Sequence, residues 1–119
     1  MTELGRHEDE RGVIQDLLLG PIGCVTEITT KAGAVRGNHV HDRTSQWVYI
    51  VSGLLLGVTE AAGVRQEHVY GPGDMAEDPP AIPHAWKALG DTTVLVFTKG
   101  PRSGEDYETD TRRLAVPLL

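Results

Sequence analysis

The chain has 119 residues, enough for one domain with one modest core. Seventeen acidic against eleven basic residues give a net charge of −6, which speaks against nucleic acid or anionic membranes as partners and for a small-molecule role. The single cysteine, Cys24, cannot form an internal disulfide, and no stretch approaches the length of a membrane span, so a reducing, cytoplasmic setting is expected.

Fourteen glycines and seven prolines fall between short runs rich in Val, Ile, Thr and Leu, the punctuation of an all-β chain. Residues 1–11 are polar and read as an N-terminal arm; their charge and lack of an apolar centre argue against a signal peptide. Gly12 to Leu19 is the first apolar run, and Gly20-Pro21 breaks it. Cys24 to Thr30 alternates as a strand. Val35 to His41 leads into a strand over Gln46 to Ser52, and Gly53 permits a sharp turn. Leu54 to Glu60 and Val64 to Tyr70 flank Ala61-Ala62-Gly63 and predict a hairpin. Gly71-Pro72-Gly73-Asp74 is a turn, and Met75 to Asp78 a short strand. Three prolines, Pro79, Pro80 and Pro83, stiffen the segment that delivers His84. Ala85 to Leu89 and Thr92 to Thr98 are further strands. Residues 12–99 thus predict a β-sandwich or barrel. The 100–119 tail combines a loop, a charged run and an apolar end, and is expected to pack on the barrel or on a partner subunit.

His39 and His41 are two apart, so on a strand both imidazoles face one way. Gln46 opens the next strand and can face the same volume. Two imidazoles and an amide oxygen converging inside a β-structure suggest a metal site, with His84 as a fourth member. The plainer alternative is a set of hydrogen-bonded interior histidines. Val48 and Ile50 share the parity of Gln46 and predict pocket-lining positions, whereas Trp47 and Tyr49 face outward. Trp86 shares the parity of His84 and is either a substrate wall or core filling. Arg36 can bind a substrate carboxylate or phosphate; pairing with an acid such as Asp42 is the favoured reading. His7 and His68 lie outside these patterns and are expected to face solvent. Cys24 has no base beside it and reads as a small buried residue.

These residues resemble the two sequence motifs of cupins. Gly33, His39, His41, Gln46 and Gly53 keep every spacing of the first motif, with Gln in place of its Glu. Gly73, Pro79, Ala81, His84 and Ala88 follow the second, with alanines at its second glycine and its asparagine. The resemblance implies a jelly-roll barrel, or double-stranded β-helix. It also implies one divalent metal (Mn, Fe, Ni, Zn or Cu) on His39, His41, Gln46 and His84, and a homodimer. Gln46 is then a ligand or merely a polar neighbour of the site. The segment Arg36-Gly37-Asn38-His39-Val40-His41 also resembles cupins that act on nucleotide sugars, among them the cupin part of capsular-sugar reductases and 3,4-ketoisomerases, some of which use the histidines as acid and base without a metal. Three functions follow as expectations. One is a metalloenzyme that polarises a carbonyl or enolate of a small organic substrate in isomerase, cyclase, lyase or oxygenase chemistry. The others are a nucleotide-sugar epimerase or isomerase, and a non-catalytic small-ligand binder. No catalytic acid or base is identified from the sequence.

Overall fold

The computed structural model describes residues 4–101 and 104–119, except the side chains of residues 104 and 107. Residues 1–3 of the expected arm and 102–103 of the expected tail loop lie outside the described residues. The elements are β1 (Arg6–Asp9), β2 (Gly12–Gln15), β3 (Cys24–Thr30), β4 (Val35–His41), β5 (Ser45–Ser52), β6 (Leu55–Ala61), β7 (Val64–Tyr70), β8 (Met75–Asp78), β9 (His84–Ala88), β10 (Thr92–Lys99), α1 (Gly104–Asp110) and β11 (Thr111–Arg113). Among the described residues no helix is long and apolar enough to cross a membrane.

Two antiparallel sheets face each other. One runs β3-β10-β5-β8 and the other β11-β4-β9-β6-β7. From β3 to β6 the chain changes sheet at every strand, as it does again from β7 to β11. That alternation is a jelly roll: each inner face can be buried only against the other sheet. β10 shows why the pattern folds this way. Thr92, Val94, Val96 and Thr98 are buried while the residues between them are half-buried, as period-2 alternation requires. Val94 is registered with Ile28 on β3 and Ile50 on β5, and Val96 with Val48. With Leu55, Ala76 and Trp86 these residues form the core, against which Ile28 and Tyr70 pack.

Several elements depart from the sequence expectations. Part of the polar arm is a strand. Arg6–Asp9 pairs with Gly12–Gln15, and Asp9 accepts hydrogen bonds from the Arg11 amide (2.9 Å) and guanidinium (2.7 Å) across the turn. The apolar run after Gly12 is strand only to Gln15. Leu17, Leu18 and Leu19 instead lie with Trp47 and Met75 around a groove outside the four-stranded sheet, so Trp47 does face outward. The hairpin turn uses two residues, Ala62 and Gly63, both with positive φ (51° and 77°), which matches the twist of the paired strands. The charged run after Gly104 forms a short helix whose first-turn acids, Glu105 and Asp106, suit a helix N-terminus.

Ala81 occupies the position where the second cupin motif carries glycine, and its φ is +67°. Its amide donates to the His41 carbonyl (2.6 Å), which holds it there. An L-residue in that region costs ~1–2 kcal/mol, and glycine removes the cost at some loss of unfolded-state entropy. Ala81→Gly is therefore expected to raise stability by about 0.5–1 kcal/mol in urea unfolding. Ile50→Ala, at a fully buried core position, is expected to lower it by about 2–5 kcal/mol. A destabilised Ala81→Gly would mean that the left-handed backbone carries no strain.

Candidate metal centre

The site is built on a kink. Gly37 and Asn38 both have positive φ (89° and 57°), and the β4–β9 register shifts between Gly37 and His39. Two residues of β4 thus oppose one of β9, a β-bulge. A Cβ at Gly37 would sit 3.0 Å from the His84 carbonyl oxygen and 3.1 Å from Ala85 Cα, so only glycine fits. Asn38 is held by the chain's far end: its Oδ1 accepts from the Leu118 (2.8 Å) and Leu119 (3.1 Å) amides, and its Nδ2 donates to the Leu119 carbonyl (3.1 Å). The bulge puts His39 opposite His84 and brings Arg36 onto the same side as His39.

Three imidazoles converge. Ring centroids are 4.4 Å apart for His39–His41, 4.6 Å for His39–His84 and 5.4 Å for His41–His84. One nitrogen from each ring lies within 4.8 Å of the other two, a spacing that small ring rotations close onto one ion. His84 Nδ1 lies 3.3 Å from the Ile82 carbonyl; a proton there turns Nε2 into the available ligand atom. His41 Nδ1 is 3.0 Å from the Thr111 hydroxyl and 3.9 Å from Asp110. Asp110 in turn accepts from the Thr44 hydroxyl (2.5 Å) and the Arg43 amide (2.6 Å). Burial alone would raise the Asp110 carboxyl; these hydrogen bonds, the Arg43 guanidinium and His41 hold it below the usual carboxylate range.

His39 is pushed down to about 3, first by burial and then by His84, His41 and Arg113. At neutral pH its ring is uncharged, the state a metal ligand needs. Three imidazole nitrogens converging on one point suit a divalent transition metal.

A cavity of ≈390 Å³ opens beside the histidines. His39, Gln46, His84, Val48, Trp86 and Arg36 all line it. His41 lies beneath, 1% exposed. Ile50 does not line it: one step further along β5, it is fully buried in the core beside Leu55 and Val94. The expected Arg36–Asp42 pair is not made either. The bulge turns Arg36 to the cavity side, where Nε donates to the Thr30 hydroxyl (2.9 Å) and Nη2 to the Thr29 carbonyl (3.1 Å), while Asp42 pairs with Arg112 (2.8 Å). His7 is exposed as expected; His68 is exposed too, but its ring packs 4.4 Å from Tyr70.

Two residues of the site and one buried neighbour of it escaped the sequence reading. Arg113 lines the cavity because β11 places it opposite His39. Asp110 reaches His41 from the tail helix, a contact no local pattern announces. Asp78 is buried on β8; its parity with Ala76 on that strand was the available signal. Burial raises its carboxyl, an effect that His84 opposes and Glu77 reinforces.

The sequence profile of the Cupin domain family matches residues 26–98. A search of curated protein sequences finds no match. Among solved structures, the chain is similar to the capsular polysaccharide assembling protein CapF from Staphylococcus aureus, with 21% identity and a TM-score of 0.72. That match covers 98% of this chain but 34% of the other, so the chain spans about a third of its length. It is also similar to QdtA, a sugar 3,4-ketoisomerase from Thermoanaerobacterium thermosaccharolyticum in complex with TDP (16% identity, TM-score 0.77, 94% of this chain and 85% of that one). A third is dTDP-4-dehydrorhamnose 3,5-epimerase from Sulfolobus tokodaii (16%, 0.69, 91% and 72%). These likenesses speak for the fold, and the profile match, which spans more than half the chain and both histidine segments, establishes that the chain belongs to the cupin family.

Proposed function

We propose that this cupin is a metal-dependent enzyme of the isomerase type, which enolises a carbonyl compound carrying an anionic group. The observation that carries the reading is the convergence of His39, His41 and His84 on one point at the wall of a cavity that Gln46 also lines. His39, His41, Gln46 and His84 would hold one divalent ion. Bound there, the ion supplies Lewis-acid stabilisation of negative charge on a substrate oxygen. The chain contributes the setting. Three imidazoles and an amide are all neutral, so the ligands offset none of the ion's charge. Trp86 and Val48 give an apolar wall that orients the carbon skeleton. Arg36 and Arg113 put two guanidiniums on the same cavity, and Arg113 makes no ion pair among the described residues, so an anionic substituent has a partner there.

A second reading shares the chemistry and dispenses with the metal. In it an imidazole of the cluster moves the proton, and a nucleotide sugar carries the phosphates that Arg36 and Arg113 would meet. The similar structures named as a sugar ketoisomerase and a sugar epimerase favour it. A homodimer belongs to the same proposal, because Val13 and Ile14 on the hairpin and Val25 on the free edge of β3 expose apolar surface. Light scattering at twice the chain mass is the expected result.

Elemental analysis should find about one divalent metal per chain, lost in His39→Ala and His84→Ala. Gln46→Ala should weaken metal affinity about ten-fold or more; unchanged affinity would remove Gln46 from the ligand set. Activity is read by incubation in D₂O with a dTDP-linked 4-keto sugar, following deuterium at the carbon next to the ketone. Exchange that stops on chelation and returns with metal is expected. Undiminished exchange after chelation transfers the reaction to histidine acid–base catalysis, and no exchange under either condition overturns both readings in favour of a binding protein.

Stability of the metal-free protein carries the signature of His39. Its folded value of about 3 lies below the ordinary 6.5, so the unfolded chain takes up the proton first as pH falls. The contribution is complete above about pH 6.5 and is lost progressively toward pH 3. His39→Gln is expected to flatten that part of the stability–pH curve, measured by urea unfolding in chelator; an unchanged slope would show that His39 titrates normally.

A further inference from the structure

The barrel holds a second cavity, also ≈390 Å³, that shares only Val48 and Trp86 with the first. Both β7 and β8 line it, and among the described residues each ends its sheet: β7 pairs only with β6, and β8 only with β5. The floor is apolar, from residues such as Leu55, Val58 and Ala85. Tyr70 is seated by Gly57, where a Cβ would lie 2.9 Å from the tyrosine ring, and the His68 ring packs beside it at 4.4 Å.

The two cavities have opposite electrostatics. Among the described residues the histidine cavity is lined by Arg36 and Arg113 and by no carboxylate, whereas the second is lined by Glu67, Glu77 and Asp78 and by no lysine or arginine. Asp78 is the pointed feature. It is 8% exposed, yet among the described residues its carboxyl accepts no hydrogen bond and forms no ion pair. The residue lines the cavity, so an N–H donor bound there meets a carboxyl that no donor of the chain occupies. The faces of Trp86 and Tyr70 attract the same positive charge.

We propose that this second cavity binds a small planar organic cation, of the amidinium or aromatic ammonium class, whose N–H groups donate to Asp78 and whose ring lies against Trp86 and Tyr70. Such a ligand satisfies the carboxyl, fills an apolar slot of suitable volume and matches the sign of the rim. An anion is excluded by Glu77 and Asp78. Its lining includes none of His39, His41 and His84.

The test uses the full chain with Trp47→Phe, which leaves Trp86 as the only tryptophan, in the presence of chelator. Benzamidinium is titrated while Trp86 emission is followed, with benzoate as the anionic control of the same shape. Saturable binding of benzamidinium is expected, with benzoate at least ten-fold weaker. Asp78→Asn should weaken benzamidinium at least ten-fold, and His39→Ala should change it less than two-fold. Tyr70→Ala should weaken it several-fold, and it decides the matter in the same way should Asp78→Asn fail to fold. No saturable response, benzoate binding as well as benzamidinium, or a loss in His39→Ala as large as in Asp78→Asn each overturns the proposal.

Discussion

The bulge at Gly37-Asn38 is the constraint on which the candidate site depends. A regular strand alternates its side chains, so Arg36 and His39 would fall on opposite faces. Two consecutive residues with positive φ count as one step, and the parity is reset. That puts Arg36, His39 and, two residues on, His41 on one face of the strand, with His39 registered against His84. Glycine is required because the partner backbone lies 3.0–3.1 Å from where its Cβ would be. Asparagine suits the next position because its short side chain tolerates the left-handed region and reaches the Leu118 and Leu119 backbone. The tail therefore takes part in fixing the geometry of a residue some eighty positions earlier in the chain.

Much of the barrel was legible because its strands are short, alternating and fenced by glycine and proline. Cys24–Thr30 and Met75–Asp78 were readable to the residue, and β10 declared itself through its threonine and valine alternation. His39 and His41 were legible through their spacing, and His84 through the resemblance to the second cupin motif. What escaped was what spacing cannot carry. Ile50 has the pocket's parity, but depth along a strand, which separates a wall from the core, is not encoded in parity. Arg36 was assigned a surface partner because the bulge that turns it to the cavity side is visible only when two strands are set side by side. Asp110 and Arg113 lie in a charged run with no period, and their places follow from β11 pairing with β4. The helix before β11 had no amphipathic pattern to announce it.

The interior is divided in charge as well as in space. An acidic chain gathers two arginines on one cavity and three carboxylates on another, with Trp86 and Val48 common to both. Low-dielectric walls concentrate each field within its own compartment, so groups of opposite sign are sorted at close range. The second-motif segment contributes to both compartments. Asp78 closes β8, His84 opens β9, and the proline-stiffened turn between them, with its left-handed Ala81, fixes how far apart they stand.

Two unpaired strand edges, β7 and β8, flank the second cavity, and exposed edges invite association with other chains. The sequence guards them. β7 carries Arg65, Glu67 and His68 at its centre, so a neighbouring strand laid against it would have to desolvate charge. β8 is four residues long, ends in Glu77 and Asp78, and runs straight into Pro79 and Pro80, which have no amide hydrogen to offer. The same residues that keep the edges from templating aggregation keep the seam from zipping shut, so the opening into the barrel is maintained by the chemistry of its lips.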